Sequence, residues 1–271
     1  MRLGLVGAGP WGRSYSRTVA DIPGLQLARV AGRADWRDLV RADDIDGVIV
    51  AVPPAAQAEI ALAAIEAGRP LLLEKPFALS VEAARRIAAA AEARGVLVMV
   101  DHVHLFHPAY EALKRAAAER GPVLAIEAAA GGPGRRPGVP ALWDWGPHDV
   151  SMCIDLLGAE PQAVEAAQLE SHATGERLRL GLRFADGVTA SIELDTLREK
   201  HRRFAVRLAG QTLFYDAAPP ADPAELPLAR AVRAFAAAIS AGSTSLASVE
   251  LGVAVVSTLA RCEAQLAGRR V

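Results

Sequence analysis

This chain of 271 residues has few cysteines, no marked excess of positive or negative charge and no long apolar run, and each absence excludes a class of protein. The two cysteines, Cys153 and Cys262, lie far apart in the sequence, which argues against a disulfide scaffold or a zinc site. A net charge of −1 gives no electrostatic footprint for nucleic acid or an anionic membrane. No apolar run is long enough to span a bilayer, so we expect neither a nucleic-acid nor a membrane partner.

What is present is enough apolar sequence for a large core. Apolar residues make up 52% of the chain, and its length allows one large domain or two ordinary ones. The chain runs from an expected strand at residues 2–6 directly into a glycine loop. A secretory signal requires a longer apolar stretch and a cleavage site, so a cytoplasmic protein is expected.

Short apolar strands and helical stretches alternate through the first 120 residues. Ser80 is the expected N-cap of one helix and Gly95 its expected stop. This alternation predicts a parallel, doubly wound sheet. The expected strands are residues 3–6, 25–31, 45–52, 70–74 and 96–100, and the expected helices are 13–20, 55–67, 80–94 and 108–120.

Strands dominate the second half, where Ala185-Asp186-Gly187 is a hairpin signal. The fold class is therefore α/β: a doubly wound domain at residues 1–120, then an α+β domain with a mostly antiparallel open sheet at residues 121–271. The expected strands are residues 122–130, 162–168, 177–184, 188–194, 203–208 and 212–215, followed by helices at 224–240 and 248–267.

A glycine motif joins the first strand to the first helix. Gly7-Ala8-Gly9-Pro10-Trp11-Gly12 has G-x-G-x-x-G spacing. The first glycine allows a tight turn, the second lets the backbone approach a pyrophosphate, and the third lets helix and strand pack closely. The helix N-terminus offers free N–H groups to phosphates. The motif predicts a Rossmann dinucleotide-binding domain, with Gly7, Gly9, Pro10, Trp11 and Gly12 at the cofactor.

The residues after the second strand bear on the choice between NAD and NADP. The acid that binds an NAD ribose is expected about 20 residues after the glycine loop, and this count leads to Gly32-Arg33-Ala34-Asp35. Arg33 can accept the 2′-phosphate of NADP. Alternatively, Arg33 is merely exposed and Asp35 binds the ribose. NADP is the predicted cofactor, and NAD remains open.

The segment Leu71-Leu72-Leu73-Glu74-Lys75-Pro76 indicates a buried strand that ends on a charged pair. Ligands of open α/β sheets bind just beyond the carboxyl ends of the strands. Lys75 is therefore expected where a ligand would lie. The alternative is that Glu74 and Lys75 form a solvated pair in a loop.

Three histidines, His102, His104 and His107, follow the fifth strand. No cysteine or acid cluster completes a ligand set nearby, so we expect no metal. His102 and His104 are predicted to line a substrate pocket, and a surface role is the alternative. The loop at residues 131–138 contains Arg135 and Arg136 and either covers a site, binds an anionic group or is solvated.

A second polar segment, Trp143-Asp144-Trp145-Gly146-Pro147-His148, precedes a helix expected from about residue 147 to 157. Asp144 and His148 are four residues apart, and a histidine oriented by a carboxylate is a good general acid–base. A purely structural pair is the alternative. Trp143 and Trp145 are predicted to form a pocket wall that contacts substrate.

Together these motifs resemble the Gfo/Idh/MocA family of nicotinamide-dependent oxidoreductases over nearly the whole chain. The resemblance rests on the glycine motif, Val52-Pro53-Pro54, Glu66-Ala67-Gly68, the segment Leu73–Pro76 and the segment Asp144–His148. It implies a Rossmann domain and a sheet domain that carries the substrate and often the oligomer interface. A homodimer or homotetramer is expected.

The resemblance also implies site residues and chemistry. Lys75, Asp144 and His148 would be the catalytic set, and Pro53, Pro54, Glu74 and Lys75 would lie at the cofactor. A hydride would pass between a secondary alcohol or ketone carbon and C4 of the nicotinamide. His148 would exchange the hydroxyl proton, Lys75 would hold the oxygen, and Asp144 would orient His148 or bind a substrate hydroxyl.

Departures from the family pattern concern the substrate more than the reaction. Gln57 stands where many members have histidine, Leu105 where many have arginine, and Ser151 where an acid often follows the active-site histidine. The motifs resemble those of members acting on sugars, cyclitols and nucleotide sugars. A non-catalytic dinucleotide-binding sensor of the same fold is the alternative, and a reductase of a non-sugar carbonyl ranks last.

Overall fold

The structure, a computed structural model, describes residues 1–134 and 139–268. Strands and helices alternate through the first half of the chain, as the sequence predicts. In order they are β1 (Arg2–Val6), α1 (Pro10–Ala20), β2 (Gln26–Ala31), α2 (Trp36–Arg41), β3 (Gly47–Val50), α3 (Pro54–Glu66), β4 (Leu71–Glu74), α4 (Val81–Arg94), β5 (Val98–Asp101) and α5 (Pro108–Arg120).

The five strands β1 to β5 form one parallel sheet in the order β2–β1–β3–β4–β5. The strands β3 and β4 are buried along their whole length, which is why their sequences are nearly continuous apolar runs. The strand order reverses between β1 and β3, and such a switch point is where ligands bind in open sheets. The predicted Rossmann-like sheet is confirmed.

The caps of α4 show how local sequence sets an element's ends. The side-chain oxygen of Ser80 accepts a hydrogen bond from the backbone N–H of Ala83 at 3.1 Å, which satisfies one free donor of the first turn. Gly95 ends the helix in the left-handed conformation, with φ of 60°. Both caps are confirmed. The sequence does not predict α2 or the later helix α6 (Ala141–Asp144), which have only six and four residues and show no helical repeat.

The second half of the described chain is built around a six-stranded sheet. The elements are β6 (Val123–Gly131), α6 (Ala141–Asp144), α7 (Gly146–Leu157), β7 (Ala163–His172), β8 (Gly175–Arg183), β9 (Thr189–Asp195), β10 (His201–Leu208), β11 (Gln211–Phe214), α8 (Pro227–Ser240) and α9 (Ala247–Gly268). The strand order of the sheet is β11–β10–β6–β9–β8–β7, and only the β6–β9 pairing is parallel. The predicted mostly antiparallel open sheet is confirmed.

The chain divides into two compact units. The first unit comprises Met1–Phe106 and Pro220–Val253, and the second comprises His107–Pro219 and Ala254–Val271. This division differs from the single expected boundary at residue 120. The helix α5 groups with the second unit, where the Tyr110 hydroxyl lies 2.9 Å from the Met152 carbonyl oxygen and 2.7 Å from Asp155 Oδ2 of the helix α7 (Gly146–Leu157). The assignment of separate cofactor and substrate roles to the two parts stays a prediction.

The return of the chain to the first unit is the second difference from the expected boundary. Val232 and Phe235 of α8 pack in the core that contains Leu3 and Leu5 of β1. Such a contact joins residues more than two hundred positions apart, so local periodicity does not reveal it. Among the described residues, no helix combines the length and the apolar character needed to cross a membrane.

Replacing Phe235 by alanine should test the place of α8 in the first core. Phe235 is fully buried, whereas Phe214 of β11 is 63% exposed and is the matched control. We expect Phe235→Ala to lower the free energy of unfolding by about 3–5 kcal/mol, because a buried phenylalanine leaves a cavity. Phe214→Ala should cost much less. Chemical denaturation measures both, and equal losses would contradict the assignment.

Candidate functional site

The glycine motif lies between β1 and α1, at the carboxyl edge of the first sheet. Two of its glycines are required by close backbone packing. A Cβ on Gly7 would lie 2.2 Å from the Ala51 carbonyl oxygen, and one on Gly12 would lie 1.9 Å from the Gly7 carbonyl oxygen. Gly7 also has φ of 111°, a conformation that favours glycine. These two positions fix the turn and the approach of α1 to the sheet.

Gly9 differs from the other two glycines. A Cβ built on Gly9 meets no heavy atom within 4 Å, and the residue is exposed at the start of α1. Pro10 begins this helix, where its missing N–H costs no hydrogen bond, and Trp11 is half-buried. The open side of Gly9 leaves room for a ligand to approach the backbone, as a pyrophosphate requires.

The residues after β2 bear on the ribose site. Arg33 and Asp35 are both exposed. The Asp35 Oδ1 atom accepts a hydrogen bond from the backbone N–H of Gly32 at 2.7 Å. One carboxylate oxygen of Asp35 therefore stabilises its own loop.

The double proline follows β3, the strand next to β1 at the switch point of the sheet. Pro53 is exposed, and Pro54 is buried as the first residue of α3. Proline is well suited to the first turn of a helix because that turn's N–H groups have no partner within the helix. The two prolines thus start α3 at the same sheet edge as the glycine motif.

The charged end of β4 is buried, not solvated. Glu74 and Lys75 are each only 6% exposed, and the Lys75–Pro76 peptide bond is cis. The Gln57 side-chain amide of α3 donates to the carbonyl oxygens of Glu74 at 2.5 Å and Pro76 at 3.1 Å. The backbone N–H of Lys75 donates to Glu74 Oε2 at 3.1 Å. The backbone of the turn that carries Lys75 is therefore fixed by hydrogen bonds to the side chains of Gln57 and Glu74.

A buried pair of carboxyl groups lies beside Lys75. Glu74 of β4 and Asp101 of β5 are register partners on adjacent parallel strands. The hydroxyl of Tyr15, which is buried in α1, lies 2.5 Å from Asp101 Oδ2 and 3.2 Å from Glu74 Oε1. The helix that begins at the glycine motif is thus hydrogen-bonded to the last residues of β4 and β5, next to Lys75.

Burial perturbs the ionisation of this pair. Burial and the charge of Asp101 raise the pKa of Glu74 to about 8, while Lys75 and Tyr15 act in the opposite direction. Burial raises the pKa of Asp101 to about 6, opposed by the hydrogen bond from Tyr15 and by the charge of Lys75. Burial, followed by the charge of Asp101, raises the pKa of Tyr15. Perturbed groups of this kind are common at functional sites.

The three histidines near β5 have different surroundings. In the first unit, His102 is buried and directly precedes a single turn of helix at Val103–Phe106. His104 lies in that turn and is half-buried. His107 belongs to the second unit, where its Nδ1 atom accepts from the backbone N–H of Ala109 at 3.1 Å and so caps α5. Nowhere in the described chain do three or more histidine, cysteine, aspartate or glutamate side chains group closely enough to hold a metal ion.

The tryptophan-rich segment of the second unit forms α6 and the start of α7. Trp145 separates the two helices and itself has helical dihedral angles, φ −97° and ψ −37°. Asp144 and Trp145 are half-buried, whereas Trp143 is buried and its indole N–H donates to Glu263 of α9 at 2.9 Å. The Trp143 indole therefore has a structural role in bonding to α9, and its contact with substrate stays a prediction.

His148 lies in the first turn of α7 and is buried. Its backbone N–H donates to the Trp145 carbonyl at 3.2 Å, and its own carbonyl accepts from the Ser151 hydroxyl at 2.8 Å. The next residue, Asp149, is fully buried and pairs with Arg202 of β10 at 2.6 Å. This ion pair anchors the turn of α7 that carries His148 to the second sheet.

Comparison with known proteins agrees with this architecture. The model of a family described as "Oxidoreductase family, NAD-binding Rossmann fold", Gfo/Idh/MocA, matches residues 26–102. A crystal structure described only as that of an oxidoreductase from Magnetospirillum magnetotacticum MS-1 is 39% identical, with a TM-score of 0.86. The similarity covers 97% of this chain and 99% of that one. The chain belongs to the Gfo/Idh/MocA family.

Curated relatives in this family match part of the chain. A UDP-N-acetylglucosamine 3-dehydrogenase of Acidithiobacillus ferrooxidans is 29% identical over 179 residues, which cover 61% of this chain and 57% of the relative. An inositol 2-dehydrogenase of Paracoccus denitrificans is 35% identical over 153 residues, which cover 48% of this chain and 45% of the relative. The chain thus spans about half the length of the curated relatives it matches.

Several residues beside the candidate site are not predicted from the sequence. Tyr15 contacts both Glu74 and Asp101, Gln57 supports the Lys75 turn, and Arg202 pairs with Asp149. A polar residue at the end of an apolar strand could have indicated Asp101, but no local pattern indicates its partner. Arg135 and Arg136, predicted as candidates for an anionic group, lie outside the described residues.

The glycine motif gives a prediction that separates folding from ligand binding. Gly9→Ala should leave the thermal unfolding temperature nearly unchanged but weaken dinucleotide binding, because its Cβ occupies the open side of the loop. Gly12→Ala should destabilise the protein, since its Cβ overlaps the Gly7 carbonyl. Thermal unfolding and fluorescence titration with NADPH and NADH measure the two effects. Undiminished binding by a stable Gly9→Ala variant would contradict a ligand at this loop.

Proposed function

We propose that this chain is an NAD(P)-dependent dehydrogenase or ketoreductase. Its substrate is a sugar, cyclitol or nucleotide sugar that reacts at a secondary alcohol or ketone carbon. Lys75 carries the proposal, because it is buried at the carboxyl end of β4, on the same sheet edge as the glycine motif. Burying an ammonium group costs several kcal/mol, and the neighbouring carboxyl groups of Glu74 and Asp101 offset that cost. A lysine held in this way at the sheet edge where ligands bind is suited to act on a ligand.

The names of the curated relatives support this class of substrate. One is named a dehydrogenase of a cyclitol and the other a dehydrogenase of a nucleotide sugar. These names favour catalysis over the alternative of a non-catalytic dinucleotide-binding sensor.

The glycine motif fits a nicotinamide dinucleotide. The open side of Gly9 and the first turn of α1 are suited to the pyrophosphate, and Pro53, Pro54, Glu74 and Lys75 follow neighbouring strands at the same edge. When bound, the nicotinamide supplies the redox chemistry, with C4 accepting or donating a hydride at the substrate carbon. NADP is the proposed form, because one oxygen of Asp35 already bonds to Gly32 and Arg33 is exposed for a phosphate. NAD remains the alternative.

The protein's own residues manage the oxygen and the proton of the substrate. Lys75 binds the reacting oxygen and stabilises the negative charge that develops on it. His148 takes the hydroxyl proton during oxidation and returns it during reduction. Asp144 orients His148 or binds a substrate hydroxyl. His102, His104, Trp143 and Trp145 are the proposed substrate contacts, and no metal takes part.

A homodimer or homotetramer stays a prediction, as does a cytoplasmic location. One face of the second sheet presents polar side chains such as Glu127 and Arg207 around a shallow cavity of about 370 Å³. We propose this face as the interface between subunits because of the family resemblance.

Replacing Lys75 tests the proposed chemistry. Lys75→Ala should lower turnover by roughly 100-fold or more, because a preorganised group at the substrate oxygen is lost. Binding of the cofactor should stay largely intact. Lys114→Ala is the matched control, since Lys114 pairs with Asp155 in the second unit. Turnover of NADPH or NADH with inositols, sugars and nucleotide sugars is the measurement, and full activity of Lys75→Ala would refute the mechanism.

Replacing Arg33 tests the choice of cofactor. Arg33→Ala should weaken NADPH binding by roughly tenfold or more and change NADH binding little, because a charged hydrogen bond to the 2′-phosphate is lost. Arg37→Ala is the control from the adjacent helix α2, since Arg37 pairs with Glu59 and stacks on Trp36. Fluorescence titration measures both affinities. An equal effect on the two cofactors would place the ribose contact elsewhere.

A further inference from the structure

We infer that Tyr15, Glu74 and Asp101 act as one proton-sharing unit, and that Tyr15 and Asp101 are positioning residues that set the charge beside Lys75. The inference concerns two residues to which neither the family motifs nor the proposed mechanism gives a role. Its consequence for turnover rests on the proposed function of Lys75. Its consequence for proton binding does not.

The geometry of the unit follows from the parallel register. Glu74 and Asp101 lie opposite each other at the last positions of β4 and β5, so their side chains share one face of the sheet. Tyr15 is one turn inside α1 and places its hydroxyl 2.5 Å from Asp101 and 3.2 Å from Glu74. A hydroxyl carries one proton and two acceptor positions. It can therefore donate to one carboxylate while accepting from the protonated form of the other.

The charges that surround Glu74 favour one bound proton shared by the two carboxyl groups. Within the described chain, the charged or titratable groups acting on it are Asp101 of β5, Tyr15 of α1 and the adjacent Lys75. From α3 comes only the neutral amide of Gln57, which bonds to the Glu74 carbonyl. His102, also buried, follows Asp101 along the chain. With both carboxyls ionised, Glu74, Lys75 and Asp101 would bury a net charge of −1, whereas one shared proton makes them neutral.

Glu74 is the site of that proton near neutral pH. Burial raises the pKa of both carboxyl groups, but the Tyr15 hydroxyl lies closer to Asp101, at 2.5 Å, than to Glu74, at 3.2 Å. This shorter hydrogen bond favours the ionised form of Asp101, so Asp101 ionises first. Protonated Glu74 then donates to Tyr15, and Tyr15 donates to the Asp101 carboxylate. Asp101 is the counter-charge of Lys75 in this state. As the pH rises past 8, Glu74 ionises and places a second negative charge next to Lys75.

This second charge should weaken the stabilisation that Lys75 gives to the substrate oxygen. We therefore expect turnover to fall as Glu74 ionises. Tyr15 also belongs to the helix that begins at the glycine motif. The proton-sharing residues thus connect the loop proposed to bind the pyrophosphate with the lysine proposed to bind the substrate oxygen. All of these residues belong to the first of the two structural units.

The test is a titration of Glu74 by carbon-13 NMR of the glutamate side-chain carboxyl, with the signal assigned by its loss in Glu74→Gln. Asp101→Asn should move the Glu74 midpoint downward by roughly 1 pH unit or more, because a neighbouring negative charge is removed. Tyr15→Phe should move it upward, because the charge-assisted hydrogen bond that the hydroxyl gives to ionised Glu74 is stronger than the one it accepts from protonated Glu74. A merely structural role would not produce shifts of opposite sign.

A Tyr–Asp pair in the second unit supplies matched controls. Tyr110 donates to Asp155 at 2.7 Å, and Tyr110→Phe and Asp155→Asn should leave the Glu74 midpoint unchanged. A midpoint near the ordinary value of about 4.3 in the unmodified protein would overturn the inference, as would equal midpoints in both cluster variants. Should Asp101→Asn be unfolded by circular dichroism, Tyr15→Phe, which removes a single oxygen, decides the question.

The activity profile supplies the second readout. The alkaline fall in turnover should disappear in Asp101→Asn, since an ionised Glu74 is then the only carboxylate beside Lys75, and it should move to higher pH in Tyr15→Phe. An unchanged alkaline fall in both variants would overturn the positioning role. The NMR titration needs no substrate. A contrary titration result would therefore refute proton sharing but not the proposed function. A correct titration without turnover of any polyol would instead refute the proposed function.

Discussion

Burying two carboxyl groups and an ammonium group at one sheet edge constrains the whole first unit. Isolated charges of this kind are very costly in a protein interior, so the groups must be paired, hydrogen-bonded or neutralised. The parallel register brings Glu74 next to Asp101, and the Tyr15 hydroxyl lies within hydrogen-bond distance of both. Gln57 holds the backbone of the same turn. The apolar sheet thus ends in a polar cluster whose members satisfy one another.

The second unit uses a comparable solution around α7. Asp149 is buried beside His148, and Arg202 of β10 supplies its counter-charge at 2.6 Å. Burial raises the pKa of Asp149, and the nearby Arg202 opposes that effect. Removing one partner of a buried pair leaves an uncompensated charge in the interior, so Asp149 and Arg202 each depend on the other. In both units, a candidate catalytic residue directly follows or precedes a buried acid along the chain.

Much of the fold was accessible from sequence because its signals are local. Apolar runs, the Ser80 and Gly95 caps and the alternation of strands with helices each depend on neighbouring residues. The glycine motif was equally accessible, but its three glycines have different physical reasons. Gly7 and Gly12 are required by backbone packing within the loop and the sheet, whereas Gly9 faces open space. Only the structure separates these roles.

The sequence by itself determined the two sheets, the glycine motif, the burial of β4 and the short spacing between Asp144 and His148. These depend on periodicity and on turn chemistry, which act over a few residues. The tertiary structure alone decided that α8 packs on the first core, that Asp35 bonds to its own loop and that Tyr15 bridges Glu74 and Asp101. Which long-range partners meet depends on how sheets and helices pack, and a single sequence carries no local signal for that.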